Sequence, residues 1–319
     1  MRLLVTGANG FVGQAVLAAA SARGLETVAA VRDANGTASP ATVAVGEVGP
    51  DTEWRPALAG VGAVIHLAAR VHVMHETAAD PLSQFRCVNV AGSVALARQA
   101  AAAGVQRLVF VSSIKVNGEH TRGRPFTEDD PAAPEDAYGQ SKHEAEQALR
   151  DLGRSTGLEV AIVRPTLVAG PGAGGNLRRL LGLVAAGIPL PFGSVENHRS
   201  LVSRAGLAEL LLLAATHPRA VGEGFLAAEE PPLSTRRLVE LLAEGLGRSA
   251  RLWRVPAGLL GTLRHIPGAG PAVERLLGSL VVDASKARSV LGWAPQVSLE
   301  DRIREMAAGF LRAPGGVTR

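Results

Sequence analysis

The chain has one cysteine, one tyrosine and three tryptophans, and aromatic residues make up only 3% of it. Cys87 has no second cysteine to pair with, so this is not a small disulfide-stapled secreted domain, and a lone thiol reads more simply as a core residue than as a nucleophile. With so few aromatics there is little to stack bases, and the net charge of +4 comes without a basic run, which argues against nucleic acid as a partner. No uninterrupted apolar run reaches the roughly 18 residues of a membrane-spanning helix. The chain also enters its first strand at residues 2–6 without the charged, apolar and cleavage regions of a signal peptide. A cytoplasmic protein with no membrane partner is expected. Nor do histidines make up for the missing cysteines: His66, His72 and His75 have no Cys or carboxylate cluster to complete a shell, so no metal is expected.

What the sequence has instead is apolar and small. Hydrophobic residues make up 47% of the 319 residues and glycine supplies 37 positions, enough for a large core in two lobes with helices lying close on a sheet. The apolar run over 2–6 stops at Thr6-Gly7-Ala8-Asn9-Gly10-Phe11-Val12-Gly13, and an alanine-rich helical pattern over 14–23 follows. Strand, glycine turn and helix form the setting of a dinucleotide site. The glycines permit the tight turn and a close approach of the pyrophosphate, while the helix N-terminus faces the phosphates. Further strands are expected at 27–31, 43–48, 61–67, 108–112 and 158–164, with helices at 80–103 and 139–154. This alternation predicts an α/β fold, a Rossmann-type doubly wound parallel sheet over 1–165. A helix at 203–217 and a strand at 224–228 are expected to return to that domain. The rest, 166–202 and 229–319, is expected to form a smaller C-terminal substrate-binding lobe, with helices at 235–247 and 301–312.

Two places carry chemistry. Tyr138 is the only tyrosine and Lys142 follows it by four, so on a helix both point into one pocket. There an ammonium can draw the phenol's pKa from about 10 towards the working pH, giving a proton donor and acceptor for an alcohol or a ketone. Ser113 closes the fifth strand, at the carboxyl edge where α/β ligands bind, and can donate to a reacting oxygen. The end of the second strand chooses the cofactor: an acidic residue suits the ribose hydroxyls of NAD, an arginine the 2′-phosphate of NADP. Arg32 stands there with Asp33 after it, so NADP is expected, with NAD as the alternative. Glu47 and Val48 fall on the adenine side, and Leu67, Ala68 and Ala69 leave room for a cofactor against the backbone.

Taken together, Thr6-Gly7-x-x-Gly10-x-x-Gly13, Ser113 and Tyr138-x-x-x-Lys142 resemble the extended short-chain dehydrogenase/reductase family, whose members mostly act on nucleotide-linked sugars. The likeness runs through His66-Leu67-Ala68-Ala69, Asn89-Val90-x-Gly92, Arg164-Pro165, Gly170-Pro171-Gly172, Asp283-x-Ser285-Lys286-Ala287 and Leu291-Gly292-Trp293, nearly the whole chain. It implies Tyr138 as acid/base, Lys142 as the group that lowers its pKa and holds the nicotinamide ribose, and Ser113 as orienting donor. It further implies cofactor contacts from Gly7, Gly10, Phe11, Val12, Gly13 and Asn89. For a UDP-sugar substrate it implies Asn176 and Arg199 at the diphosphate, with Leu177, Phe192 and Arg275 beside them, and a homodimer through the helices at 80–103 and 139–154.

Departures from the family pattern narrow the reaction. Dehydratases carry an Asp-Glu pair after the catalytic hydroxyl residue, whereas this chain has Ile114-Lys115, and an isoleucine moves no protons. The segment Asn197-His198-Arg199-Ser200-Leu201-Val202 is similar to UDP-hexose 4-epimerases and also to reductases of UDP-4-keto-6-deoxy-N-acetylhexosamines. Arg32 tips the expectation to a C4 ketoreductase using NADPH, since an epimerase needs no external reductant. A UDP-glucose or UDP-N-acetylglucosamine 4-epimerase is the alternative, and a non-catalytic NADP-binding regulator on the same fold is the third reading.

Overall fold

A computed structural model describes residues 1–33, 41–71, 80–262 and 270–310. β1 (Arg2–Thr6) runs into the glycine turn and α1 (Phe11–Ala22); β2 (Glu26–Val31), the short β3 (Thr42–Ala44), α2 (Arg55–Leu58) and β4 (Ala63–His66) follow. Then α3 (Pro81–Phe85), a π-helical segment (Arg86–Gly92) and α4 (Ser93–Ala102) succeed one another without a gap before β5 (Arg107–Val111). A 3-10 turn at Ile114–Val116 precedes α5 (Ala137–Thr156), β6 (Glu159–Pro165), β7 (Leu167–Ala169), α6 (Gly175–Ala185), β8 (Arg199–Ser203) and α7 (Arg204–Thr216). The chain ends with β9 (Gly224–Ala227), β10 (Glu229–Leu233), α8 (Thr235–Gly245), α9 (Ala257–Gly261), α10 (Gly270–Leu277), α11 (Ser285–Leu291) and α12 (Leu299–Phe310).

Seven strands form one parallel sheet in the order β3-β2-β1-β4-β5-β6-β9. Both its faces are covered, which is why its strands read as unbroken apolar runs. Alternate residues serve opposite faces: Leu3, Val5, Val109 and Val163 meet α1, α7 and α11, while Leu4, Leu108, Phe110 and Ile162 meet α4 and α5. Burying each such side chain stabilises the fold by about 1.5–3 kcal/mol. The chain leaves β1 towards β3 and returns on the other side at β4, so the sheet opens a crevice at the carboxyl ends of β1 and β4.

A second sheet of three strands, β10-β8-β7, carries its own core with α6, α8 and α12, built on Leu177, Leu181, Leu242 and Ile303. Helices α8 and α12 lie close because Gly245 has no side chain; a Cβ there would stand 2.4 Å from the Arg304 oxygen. Leu280 through Trp293 pack into the core of the large sheet, where Trp293 Nε1 donates to the Gly206 carbonyl at 2.9 Å. Position late in the chain therefore does not by itself place a residue with the small sheet.

The expected third strand ends four residues early, at Ala44, because Gly46 turns the chain with φ 70°. The expected helix over 80–103 is interrupted by the π-helical segment, and the three-stranded sheet has no counterpart in the sequence reading. No described helix is long and apolar enough to cross a membrane.

Candidate active site

Gly7 follows β1 with φ 63°, a conformation that a side chain strains. A Cβ on it would lie 3.0 Å from the Ala68 nitrogen, and one on Gly13 only 2.3 Å from the Gly7 oxygen. The backbone thus turns tightly into α1, whose N-cap is Gly10. No side chain caps that helix and its first turn carries no carboxylate, so its positive end is open to an anion. Val12 packs into the core beneath the turn, and Phe11 lies under the Arg204 guanidinium at 5.3 Å. A glycine cradle and an uncapped helix end fit the diphosphate of a dinucleotide.

From the cradle a row of hydrogen bonds crosses the sheet. Thr6 Oγ1 accepts the backbone N–H groups of Leu67 and Ala68, at 3.1 and 3.0 Å, and donates to His66 Nδ1 at 2.7 Å. The network assigns the His66 proton to Nε2, which donates to Ser93 Oγ at 2.9 Å; Ser93 donates to the Asn89 carbonyl at 2.6 Å. Asn89 Oδ1 accepts from the Arg70 N–H at 2.8 Å, and its Nδ2 donates to the Arg70 carbonyl and to Ser141 Oγ, each at 3.0 Å. Ser141 donates to the Tyr138 carbonyl at 2.8 Å. Burial, reinforced by the Lys142 charge, brings His66 down to about 3, which keeps the ring neutral and the row directed. Asn89 reaches this buried position from the π-helical segment. Leu67, Ala68 and Ala69 lie half-buried just past β4, as a backbone-lined edge requires.

Asp136 caps α5 by accepting the Gly139 N–H at 2.7 Å, which sets Tyr138 and Lys142 one turn apart at the start of that helix. Ser113 caps the 3-10 turn after β5 and faces the Tyr138 phenol, near enough to favour its ionised form. Lys142 Nζ donates to the Val111 carbonyl at 2.8 Å, and stands 4.5 Å from the Phe110 ring centre and 6.0 Å from that of Tyr138. Ser113, Tyr138 and Lys142 therefore meet at the carboxyl end of β5. Their electrostatics correct one expectation. Burial pushes the phenol up to about 12, Asp136 adding to the rise and Ser113 easing it, while burial brings Lys142 down to about 7 against the pull of Glu146. In the protein alone Lys142 does not acidify Tyr138, because its ammonium is dehydrated and turned onto a backbone carbonyl.

At the far end of the crevice Arg32 Nε meets Glu47 Oε1 at 3.0 Å, both side chains well exposed. These two residues do come together, but as an ion pair. The guanidinium expected to greet a 2′-phosphate is engaged by a carboxylate that would repel one. Val48 is a packing residue: a Cβ on Gly92 would stand 2.8 Å from its Cγ1.

On the substrate side the residues are more scattered. Asn176 is exposed in the first turn of α6, and Arg199 opens β8 with NH1 donating to the Gly278 carbonyl at 3.1 Å. Leu177 is 3% exposed within the core of the small sheet, so its side chain packs instead of facing a ligand, and half-buried Phe192 packs against the same core. Arg275 sits on α10, its side chain outside the described residues, as are His72 and His75. Ile114 is buried, and Lys115 is tied to Glu119 at 2.6 Å and to Asp136. Cys87, expected in the core, is exposed: the π-helical segment turns it to the outer groove lined by Pro50, Val94 and Arg98. Sequence reasoning missed Thr6, Ser93, Ser141, Glu146 and Arg164 as parts of the site. Thr6 and Arg164 stood inside motifs of the family resemblance without a role assigned to them, and Glu146 left a signal by repeating the four-residue step of Tyr138 and Lys142.

The profile of the NAD dependent epimerase/dehydratase family matches residues 3–226. A UDP-glucose 4-epimerase of Vibrio cholerae is 41% identical over 314 residues, 98% of this chain and 96% of that protein. Among solved structures, a short-chain dehydrogenase/reductase superfamily protein of Agrobacterium tumefaciens with bound NAD is 25% identical, with a TM-score of 0.74 over 98% of this chain and 97% of its own. A UDP-N-acetylglucosamine 4-epimerase from Bacillus cereus shares the fold at 18% identity, with a TM-score of 0.80 over 98% of this chain and all (100%) of its own.

Proposed function

The chain belongs to the NAD-dependent epimerase/dehydratase family, and from that premise we propose that it is a UDP-sugar 4-epimerase using NAD. The observation that carries this reading is the meeting of Ser113, Tyr138 and Lys142 at the end of β5, joined through Asn89 and His66 to the glycine cradle. Gly7, Gly10, Gly13 and the start of α1 would hold the diphosphate of NAD, and Lys142 its ribose. NAD, when bound, supplies an acceptor for the hydride of a sugar C–H and returns that hydride.

As the phenolate, Tyr138 takes the proton from the C4 hydroxyl as the carbon is oxidised, and the phenol so formed gives it back when the ketone is reduced from its other face. Ser113 holds the same oxygen. The Lys142 charge lowers the cost of the phenolate once the ammonium turns from Val111 to the site. Asn176 and Arg199 would bind the UDP diphosphate from the second lobe, drawn as 166–202 and 229–319. Two copies would pair through α3, α4 and α5, whose outer groove holds Cys87. At the two positions where dehydratases carry their Asp-Glu pair, Ile114 is buried and Lys115 is held by two carboxylates, which argues against dehydration.

The sequence favoured a 4-ketoreductase on the strength of Arg32 and NADP, and the Arg32–Glu47 pair weakens that support. The reductase stays as the second reading because of the Asn197-His198-Arg199-Ser200 segment. Purified protein is incubated with UDP-glucose and UDP-N-acetylglucosamine without added reductant, and separately with a UDP-4-keto-6-deoxy-N-acetylhexosamine plus NADPH. Interconversion of a 4-hydroxy sugar with no net change in NADH supports the epimerase. Stoichiometric NADPH consumption with the ketone, and no epimerisation, would replace it with the reductase.

A further inference from the structure

Glu146 lies one helical turn beyond Lys142 on the buried face of α5, and its side chain is 0% exposed. Arg164 on β6 grips it with two bonds, Nε to Oε1 at 2.8 Å and NH2 to Oε2 at 2.6 Å, and Arg150 reaches Oε2 at 3.3 Å. The remaining Arg164 nitrogen, NH1, donates to Asn117 Oδ1 at 3.0 Å, and Asn117 Nδ2 donates to the Thr127 carbonyl at 3.1 Å. The carboxylate is thus fixed from behind. Arg164 holds it ionised against burial. A buried ion pair is a poor source of stability, since well-packed apolar residues commonly serve as well. Its position suggests another use.

Lys142 is itself only 2% exposed, and the partner of its ammonium is the neutral Val111 carbonyl. Among the described residues, the groups around it offer no other negative charge. From β4 comes His66, which is neutral at working pH and repels the ammonium when charged; from β5 comes the Phe110 ring; from its own helix, the protonated Tyr138 phenol. Beyond the 3-10 turn, Asp136 is engaged by Lys115 and by the Gly139 N–H. From β6, Arg164 spends its charge on Glu146. Of the described residues, only Glu146 bears on Lys142 as an anion.

We propose that Glu146, clamped by Arg164, is a positioning residue whose negative charge keeps the Lys142 ammonium protonated in its dry site, so that a cation remains available beside Tyr138. This rests on the reading of Tyr138 and Lys142 as the chemical pair. The sign follows from the arrangement. Glu146→Gln removes the anion and leaves the Arg164 cation, and both changes favour neutral Lys142. Arg150→Met removes a cation that offsets Glu146, and favours charged Lys142.

The chain has three lysines, Lys115, Lys142 and Lys286, so the protein labelled with carbon-13 at lysine Cε gives three signals, assigned with Lys115→Arg and Lys286→Arg. In the ligand-free protein the Lys142 signal is expected to titrate at about 7. Its midpoint should fall by about one pH unit in Glu146→Gln and rise in Arg150→Met. A midpoint that neither substitution moves overturns the proposal. If Glu146→Gln does not fold, Arg150→Met decides, because that side chain is 37% exposed and its loss leaves the core intact: a rise supports the proposal, and an unmoved or falling midpoint overturns it. The alkaline limb of the pH–rate profile should move with the resonance, which a merely structural Glu146 would not do. Should the unaltered protein turn over no UDP-sugar, the functional reading falls, while the titration still judges Glu146.

Discussion

In the proposed reaction Tyr138 is the group on which the chemistry turns, and it should be separable from binding. Tyr138→Phe keeps the ring and its edge contact with Phe85 at 6.1 Å but removes the proton carrier. Turnover should fall about 10²–10⁴-fold, while NAD affinity, measured by titration, stays within a few-fold; equal loss of both would make the residue structural. Ser113→Ala removes the group that eases the phenol down from its raised value, so the pH–rate profile of that variant should have its Tyr138-dependent limb displaced to higher pH. The spacing of Tyr138 and Lys142 was legible because a four-residue step is a local property of a helix. The direction of their protonation shifts was not. Those depend on Phe110 and Val111 from β5 and on Asp136 beyond the helix start, neighbours that only folding brings near.

Among the elements, the π-helical segment matters most, since it carries Asn89 into the row that ties β1, β4 and α5 together. His66 at the end of β4 gives that row a pH dependence. Its folded value of about 3 lies below the usual 6.5, so its stabilising contribution is complete above 6.5 and drains away as pH falls towards 3, where the unfolded chain takes up a proton that the native ring refuses. Urea unfolding from pH 7 to 4 should show a steeper loss for the unaltered protein than for His66→Leu, and parallel curves would remove His66 from the account. The strands of the large sheet were legible to within about two residues, apart from β3, because burial on both faces leaves continuous apolar runs. The π-helical insertion was not legible, as it keeps a helical pattern of side chains. Strands β7, β8 and β10 escaped because none is a continuous apolar run of ordinary length: β7 has three residues, β8 reads Arg-Ser-Leu-Val-Ser and β10 reads Glu-Glu-Pro-Pro-Leu.

For the molecule as a whole, the proposed reading draws the cradle and the acid/base group from the large sheet and Arg199 from the small sheet. Binding of the two ligands should therefore separate by mutation. Arg199→Met should raise the KM for a UDP-sugar about ten- to hundredfold, the worth of a charged hydrogen bond, with NAD affinity unchanged by titration; a joint loss would assign Arg199 to holding β8 against Gly278. The doubly wound sheet was legible from the βα alternation, whereas the return of Leu280 through Trp293 to the first core was not, since nothing local marks so distant a contact. The row from Thr6 to Tyr138 has one more consequence. Each hydroxyl and ring nitrogen along it already has its giver and taker, so the imidazole proton of His66 has no water to trade with. In heavy water that proton should persist as a resolved resonance long after exposed imidazoles have exchanged, and its lifetime would time the opening of the crevice.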